Sequence, residues 1–295
     1  MITGEYGVIV GSEALTIPLK AFSAQVAHRD AADDAEKVIQ SVSSLRELFS
    51  YILSLPKNSF YAKLMDKEMD DFLKKGYYIE SNIPAGYSIG SSGAVSALVY
   101  DRFFRKQDEL DRQHQRKDLA TIESFFHGKS SGVDALSCYA GVPLHFSSDG
   151  NIHEVDFDPG KIPGGYRLFL LDTEQFLDTG PLVAHFLEKM RNPEFRKLVE
   201  SDYLPMISKL AAALLGKLQV DPALLFRMIS DFQWNHFRQM IPENMEDAWI
   251  EGQISNNYYL KINGSGGGYM LGIAHEDTME AVEGMLGDKV VWVEG

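Results

Sequence analysis

Three separate glycine-rich segments constrain the fold of this 295-residue chain more than any other feature of its sequence. They are Pro84–Gly93, Gly128–Asp134 and Lys261–Gly268. The first segment runs into an apolar stretch, Ala94–Tyr100, which predicts a loop that ends at a helix N-terminus. Backbone N–H groups and the helix dipole make such an N-terminus suitable for phosphate. Taken in order, the segments predict a phosphate loop, a carboxylate site and a second close approach of the backbone to a ligand.

The first segment has neither of the two common nucleotide-binding spacings. Gly86–Ser92 lacks the G-x-x-x-x-G-K-[ST] pattern of a P-loop, and it lacks the dinucleotide pattern G-x-G-x-x-G. We expect Ser91 and Ser92 to cap the helix that follows, and one of their hydroxyls to bind Mg²⁺. An ordinary helix cap preceded by a glycine loop is the alternative interpretation.

The second segment supplies negative charge. Asp134 follows a Ser-Ser-Gly turn, and Glu123 stands eleven residues before it on a predicted helix. Two carboxylates near a phosphate loop can divide the work of phosphoryl transfer: one holds Mg²⁺ together with a serine, and the other orients or accepts the proton of the attacking hydroxyl. The alternatives are a surface helix residue for Glu123 and the N-cap of a helix starting at Ala135 for Asp134.

The third segment has four glycines among the five residues Gly264–Gly268. Because glycine loses much backbone entropy on folding, such a run weakens an ordinary hairpin. A run of glycines is expected where the backbone must lie directly against a ligand. A flexible hairpin loop is the alternative interpretation.

Composition excludes several partners. The formal net charge is −14 and the isoelectric point is near 5.0, so the chain repels nucleic acid and anionic membranes, and we expect neither as a partner. No apolar run approaches the roughly 20 residues needed to span a bilayer, and we expect no signal peptide. The single cysteine, Cys138, excludes an internal disulfide and predicts a cytoplasmic protein. Its apolar neighbours predict a buried, inert thiol.

Hydrophobic spacing predicts an α+β fold with two lobes, residues 1–165 and 166–295. Residues 1–20 are expected to form two short strands, residues 102–118 a charged and solvated surface, and residues 181–255 mostly helices. The other predicted helices are 30–55, 60–75, 94–100, 119–126 and 277–286, and the other predicted strands are 77–80, 144–146, 152–157, 166–171, 258–261, 268–274 and 290–293.

Four motifs together resemble the GHMP small-molecule kinases. Gly86–Gly93 resembles the family's P-x-x-x-G-L-G-S-S-A, Lys261–Gly268 resembles K-[LI]-[TS]-G-[AS]-G-G-G, and Gly4–Gly11 resembles G-E-[HY]-[AS]-V-[VL]-x-G. His127–Asp134 resembles H-G-x-P-S-G-[VI]-D of the mevalonate kinase branch. The resemblance implies a ribosomal-protein-S5-like N-terminal lobe and a ferredoxin-like C-terminal lobe. It also implies ATP and Mg²⁺ as cofactors, phosphorylation of the primary hydroxyl of mevalonate, and a homodimer as one assembly.

The resemblance also implies roles for individual residues. Asp134 would be the catalytic carboxylate, and Ser92 and Glu123 would be the Mg²⁺ ligands. The residues implied to contact ATP are Gly86, Ser88, Gly90, Ser91, Ser92, Gly93, Gly266, Gly267 and Gly268. Those implied to contact the substrate are Glu5, Tyr6, Thr179 and Gly267.

Several positions depart from the family pattern. The family's active-site lysine would fall before Met1, Tyr6 stands where animal-type mevalonate kinases have histidine, and Ser130 replaces a proline. Lys129 is either a substitute cation or a surface lysine. Two alternatives to mevalonate kinase therefore remain: a GHMP kinase for phosphomevalonate or a sugar, and a non-catalytic ATP-binding paralogue.

Overall fold

The computed structural model describes residues 1–30, 34–105 and 111–294. The chain divides into two compact units. The larger unit contains Met1–Leu19, Gly86–Ile89 and the described chain from Val142 onwards, and the smaller unit contains Lys20–Ala85 and Gly90–Gly141. Each unit contains more than one stretch of the chain. The division at residue 165 stays a prediction.

The smaller unit consists of one antiparallel strand pair and a group of helices. Its strands are β2 (Ala24–His28) and β3 (Tyr77–Ser81), paired from Ala24 opposite Ser81 to His28 opposite Tyr77. Its helices are α1 (Ala35–Ser54), α2 (Asp66–Lys74), α3 (Ser91–Phe103), α4 (Arg112–His127) and α5 (Val133–Ala140).

Helix α1 shows how apolar spacing determines burial in this unit. Its apolar residues recur at three- and four-residue intervals, and those that face inwards are Val38, Leu45, Leu48, Phe49 and Ile52. The Asp34 side chain accepts hydrogen bonds from two N–H groups of the first turn and so fixes the start of the helix.

Helix α4 begins earlier than the sequence pattern predicts. The Asp111 side chain accepts a hydrogen bond from the His114 N–H, which starts the helix seven residues before Leu119. The charged stretch is therefore partly helical, and residues 106–110 of it lie outside the described residues. On the inner side of α4, Asp118 is buried and forms an ion pair with Lys63 at 2.7 Å.

The larger unit contains a four-stranded antiparallel sheet. The strands are β6 (Tyr166–Asp172), β7 (Tyr258–Ile262), β8 (Tyr269–His275) and β9 (Val290–Trp292), in the order β7-β8-β6-β9. A helical region separates β6 from β7, and a single helix separates β8 from β9. This is the β-α-β-β-α-β arrangement of the ferredoxin-like fold, which confirms the predicted C-terminal architecture.

The region predicted to be mostly helical is helical. It contains α6 (Thr179–Lys189), α7 (Pro193–Leu198), α8 (Leu204–Leu214), α9 (Pro222–His236) and α10 (Glu246–Ser255), and α11 (Met279–Leu286) follows β8. Prolines 193 and 222 occupy first-turn positions, where a missing N–H costs nothing. No described helix is long and apolar enough to cross a membrane.

The start of the chain differs from the prediction of two strands. β1 (Ala14–Thr16) forms a three-stranded antiparallel sheet with β4 (Leu144–Phe146) and β5 (Ile152–Glu154). Gly7–Val10, however, forms a turn of 3₁₀-helix. Tyr6 adopts a φ of 58°, which turns the chain out of the extended conformation, and the Gly11 N–H bonds back to the carbonyl groups of Gly7 and Val8.

We predict that two glycines of the larger unit respond oppositely to alanine. A Cβ on Gly272, in the central strand β8, would lie 2.1 Å from Cζ of Phe169, whose ring is itself packed against Tyr258 and Trp292. Gly272→Ala should therefore lower the free energy of unfolding by about 1–3 kcal/mol, measured by chemical denaturation. Gly284 lies in α11 with open space around it. Gly284→Ala should raise stability by about 0.5–1 kcal/mol, and equal effects would contradict this packing.

Candidate active site

The N-terminus of α3 carries no side-chain cap. Its N-cap residue is Gly90, with a φ of 83°, and no side chain bonds to the first-turn N–H groups. The expectation that Ser91 and Ser92 cap the helix is therefore wrong, because both serines already lie within its first turn. The backbone donors of this turn are left for another acceptor, as in an anion-binding helix N-terminus.

The Ser92 hydroxyl lies between two side chains of α4. Its Oγ is 3.3 Å from Oε1 of Glu123 and 3.0 Å from Nε2 of His127. Glu123 is only 4% exposed, and its other oxygen, Oε2, accepts a hydrogen bond from the Ser130 hydroxyl. The alternative of a surface helix residue for Glu123 is therefore wrong. We call Ser92, Glu123, His127, Ser130 and the nearby Asp134 the Glu123 cluster.

Asp134 lies in the first turn of α5, behind the N-cap residue Gly132. It does not cap the helix, so the N-cap alternative is also wrong, because α5 starts at Val133. The position of Asp134 depends on Gly93: a Cβ there would lie 2.9 Å from the Asp134 carbonyl carbon and from the Ala135 nitrogen. Glycine at 93 therefore lets the start of α3 contact the start of α5 backbone to backbone.

The negative charge of Asp134 affects the ionisation of the buried Glu123. Burial raises the pKa of Glu123 to about 7, and the negative charge of Asp134 adds to the rise, while hydrogen bonds from Ser130 and Ser92 oppose it. A cation beside Glu123 would favour its ionised form. Two carboxylates and a hydroxyl form a hard oxygen donor set of the kind that Mg²⁺ uses with phosphate oxygens and water. The described residues contain no group of three or more His, Cys, Asp or Glu side chains that could hold a metal ion.

The prediction that Cys138 is buried is wrong. Cys138 is exposed because it follows Asp134 by one turn on the same open side of α5, whereas Val133 and Leu136 face the interior. Its sulfur points towards the Gly90 carbonyl oxygen at 3.8 Å. The protein atoms around the sulfur raise the pKa of the thiol to about 12, and the charges of Asp134 and Glu123 add to the rise. The thiol therefore stays protonated at neutral pH.

In the larger unit, Glu5 and Lys261 form a buried ion pair. Glu5 is 1% exposed and the Lys261 side chain is fully buried. Burial raises the pKa of Glu5 and lowers that of Lys261, and each partner's charge opposes the shift of the other. Lys261 also donates to the Ile262 carbonyl oxygen at 3.1 Å.

A hydrogen-bond network anchors this ion pair. Tyr203 donates its hydroxyl to the Glu5 carbonyl oxygen at 3.1 Å, and Gln233 donates to the Tyr203 hydroxyl at 3.0 Å. The Gln233 side-chain oxygen accepts from the Ile262 N–H at 2.7 Å. The network thus connects the start of the chain with α9 and with strand β7.

Tyr6 and Thr179 hold Ser265, the one non-glycine residue of the loop Gly264–Gly268. Tyr6 is buried and donates its hydroxyl to the Ser265 carbonyl oxygen at 2.5 Å. The Thr179 and Ser265 hydroxyls lie 2.8 Å apart, and both residues are partly exposed. Of the predicted substrate residues, Thr179 is therefore partly exposed, whereas Glu5 and Tyr6 are buried.

The glycines of this loop lie directly against other parts of the larger unit. A Cβ on Gly268 would lie 2.0 Å from the Tyr87 Cα, and one on Gly266 would lie 2.5 Å from the Met240 carbonyl oxygen. A Cβ on Gly267 would lie 2.6 Å from Cβ of Leu177. All of these glycines have positive φ. Close packing within the chain therefore accounts for them, and contact of Gly266, Gly267 and Gly268 with ATP stays a prediction.

Residues 86–89 lie beside the same loop. The Ser88 hydroxyl donates to the Gly266 carbonyl oxygen at 3.0 Å, and the Asn263 side chain donates to the Ser88 carbonyl oxygen at 2.9 Å. A Cβ on Gly86 would collide with the ring of Phe176. The structure thus brings Gly86 and Ser88 together with the glycine loop of the larger unit, and brings Gly90, Ser91, Ser92 and Gly93 together with Glu123 and Asp134 in the smaller unit.

Residues 56–142 match the family described as the GHMP kinases N terminal domain. This segment carries the first glycine loop, Glu123 and Asp134. No curated protein matches the chain significantly. Solved structures match it over nearly its full length, with TM-scores above 0.6 for several of them. The chain has the GHMP kinase fold.

The similar structures include several mevalonate kinases and other kinases. The L. major mevalonate kinase in complex with R-mevalonate is 16% identical, with a TM-score of 0.64, covering 99% of this chain and 93% of that one. The Streptococcus pneumoniae phosphomevalonate kinase in complex with phosphomevalonate and AMPPNP is 13% identical, with a TM-score of 0.61 and coverages of 98% and 94%. The Lactococcus lactis galactokinase complexed with galactose is 10% identical, with a TM-score of 0.64 and coverages of 99% and 90%.

Three residues at these sites carry no role that their sequence pattern predicts. Lys261 stands between Leu260 and Ile262 in strand β7, which is almost entirely buried. A lysine in such a strand requires a buried carboxylate as its partner. His127 and Ser130 flank the glycine of the second motif, and only the folded turn brings them to Ser92 and Glu123. Lys129, the proposed substitute cation, is exposed.

Glu123 should make stability depend on pH. Its pKa in the folded protein, about 7, lies above the ordinary value of 4.5, so its stabilising effect is complete below pH 4.5 and is lost as the pH rises through 7. When the pH rises from 5 to 8, the wild type should lose about 1–3 kcal/mol of unfolding free energy relative to Glu123→Gln. Chemical denaturation at both pH values measures this difference. The exposed Glu47→Gln is the control, and a pH-independent difference for Glu123→Gln would contradict the burial of its charge.

Lys261→Met should strongly destabilise the larger unit. It leaves Glu5 buried without a countercharge, which typically costs about 3–5 kcal/mol. Adding Glu5→Gln to Lys261→Met should recover a large part of the loss, because the unpaired charge is then removed. Lys289→Met, which breaks an exposed pair with Glu174, should cost less than about 1 kcal/mol. Equal losses for the two lysine variants, measured by denaturant titration, would refute the buried pairing.

Proposed function

We propose that this chain is an ATP- and Mg²⁺-dependent small-molecule kinase that phosphorylates the primary hydroxyl of mevalonate. The observation that carries the proposal is the Glu123 cluster: a buried carboxylate, a hydroxyl and a second carboxylate stand beside an uncapped helix N-terminus. Each of these groups has a task in phosphoryl transfer, which depends on positioning and on neutralising charge.

The first task is to bind the phosphates of ATP. The uncapped N–H groups of Ser91, Ser92 and Gly93 supply donors and the positive end of the α3 dipole. This local positive potential is required because the chain as a whole carries a net charge of −14. Gly86, Ser88 and the loop Gly266–Gly268 are proposed to contact the nucleotide through their backbone.

The second task is to hold Mg²⁺, and the residues that would hold it are Ser92 and Glu123. When bound, the ion neutralises the negative charge that develops on the phosphate oxygens. The shared hydrogen bond already aligns the Ser92 hydroxyl with Oε1 of Glu123. The burial of Glu123 excludes water from one side of the site, which strengthens its attraction for a cation.

The third task is to activate the acceptor, and Asp134 is proposed to do so. Its carboxylate orients the hydroxyl and accepts its proton as the hydroxyl oxygen bonds to the γ-phosphorus. The bond from that phosphorus to the bridging oxygen breaks, and ADP leaves. The close backbone approach at Gly93 supports this role, because it holds the helix turn that carries Asp134 against the start of α3.

The second motif and the similar structures support mevalonate as the proposed acceptor. His127–Asp134 has the pattern of the mevalonate kinase branch, and four of the similar structures are mevalonate kinases. Thr179, which is partly exposed, is proposed to contact the acceptor together with Gly267. Glu5 and Tyr6 are proposed to act on the substrate by fixing the position of the loop around Ser265. Phosphomevalonate and sugars belong in the test panel because the phosphomevalonate kinase and the galactokinase also share the fold.

Asp134→Asn should lower kcat by about 10²–10⁴-fold, because the amide cannot accept the hydroxyl proton. ADP release in the presence of Mg²⁺ measures the rate with mevalonate, phosphomevalonate and galactose as acceptors. Calorimetric binding of ATP should be unchanged in the variant.

The matched control is Asp70→Asn, a surface aspartate of α2 in the same unit, with a side chain 79% exposed. It should keep the wild-type rate. An Asp134→Asn variant that also turns over at the wild-type rate would exclude Asp134 as the proton acceptor. A wild-type protein that binds ATP but phosphorylates none of the three acceptors would favour a non-catalytic ATP-binding paralogue.

A further inference from the structure

Ser130 occupies a position where the resembling motif has proline, and it places a hydroxyl next to a predicted metal ligand. Ser130 is partly exposed, and its Oγ donates a hydrogen bond to Oε2 of the buried Glu123. Proline has no hydroxyl and cannot make this bond. The chain thus gives Glu123 a partner that the family pattern does not supply.

The Ser130 hydroxyl also accepts a hydrogen bond, which leaves its proton available for Glu123. The Gly132 N–H donates to the Ser130 Oγ at 2.9 Å, so the hydroxyl serves as acceptor there. A serine hydroxyl has a single proton, and that proton is directed to Glu123. The backbone of Ser130 is held as well, because its N–H donates to the Ser124 hydroxyl at 3.2 Å.

The two oxygens of Glu123 therefore have different surroundings. Oε2 is bound to Ser130, which is anchored on both its backbone and its side chain. Oε1 faces Ser92, whose hydroxyl can instead direct its proton to His127 at 3.0 Å. When the Ser92 proton turns to His127, Oε1 and the Ser92 oxygen both present lone pairs to the same space.

We propose that Ser130 is a positioning residue that holds Glu123 by Oε2 and so presents Oε1, beside the Ser92 hydroxyl, as the cation-binding oxygen. This inference rests on the proposed function, because it assigns the cation to Glu123 and Ser92. It goes beyond that function by naming the oxygen that binds the cation and the residue that fixes it. Hydrogen-bond partners of metal-binding side chains typically contribute 10–100-fold to metal affinity.

The test measures binding of Mn²⁺, used in place of Mg²⁺, to the full chain with ADP by electron paramagnetic resonance. We expect Ser130→Ala to weaken Mn²⁺ binding by about tenfold, and Ser130→Thr, which keeps the hydroxyl, to restore it to within about threefold of the wild type. Binding of ADP without metal should be the same in all three proteins. A purely structural role for Ser130 would instead lower the melting temperature and leave the Mn²⁺ affinity of the folded protein unchanged.

The matched control is Ser131→Ala, in the same turn. Its hydroxyl accepts from the Val133 N–H at 3.4 Å and makes no contact with Glu123, so Mn²⁺ affinity should stay at the wild-type value. Equal Mn²⁺ affinity in Ser130→Ala and the wild type, or equal losses in Ser130→Ala and Ser131→Ala, would overturn the role of Ser130 and leave the proposed kinase intact. A wild-type protein that binds ADP but no Mn²⁺ would overturn both the role of Ser130 and the proposed metal site.

Discussion

The burial of Glu123 next to a second carboxylate is the constraint on which the smaller unit's chemistry depends. An ionised carboxylate in a protein interior is costly unless a positive charge or hydrogen-bond donors compensate it. Two serine hydroxyls compensate Glu123 only in part, because its pKa remains near 7 with Asp134 close by. None of the charges that shift this pKa is positive, which is consistent with the proposed binding of a divalent ion that arrives with phosphate.

In the larger unit, a buried carboxylate is compensated by a positive charge and not by hydroxyl groups. Glu5 has a protein cation, Lys261, and the backbone next to both is held by Tyr203 and Gln233. Such a closed network needs no ligand to be stable, and it fixes the segment from which Tyr6 reaches the Ser265 carbonyl group. The two carboxylates therefore differ: Glu5 is paired with Lys261 within the protein, whereas Glu123 is the carboxylate that we propose as the cation ligand.

Much of the fold could be predicted from sequence because it follows from local patterns. The alternation of Tyr166–Leu171 predicted β6, the apolar spacing of 30–55 predicted α1, and the motifs predicted the GHMP kinase fold. The failures depend on local backbone conformation and on side-chain contacts that form only in the folded chain. Cys138 has apolar neighbours but lies on the open side of a short helix, and the turn at Gly7–Val10 follows from a positive φ at Tyr6. The partners of Glu123 and Lys261 lie 7 and 256 residues away, and only the folded chain reveals them.

The central claim is that Glu123 and Ser92 bind the divalent cation that accompanies ATP. The most direct measurement is a crystal structure of the protein with Mn²⁺ and AMPPNP, using anomalous scattering to locate the ion. The account predicts an anomalous peak about 2.1 Å from Oε1 of Glu123 and from the Ser92 hydroxyl oxygen, with phosphate oxygens completing the shell. A peak bound only by phosphates and water, or by other side chains while Glu123 stays between the two serines, would contradict it.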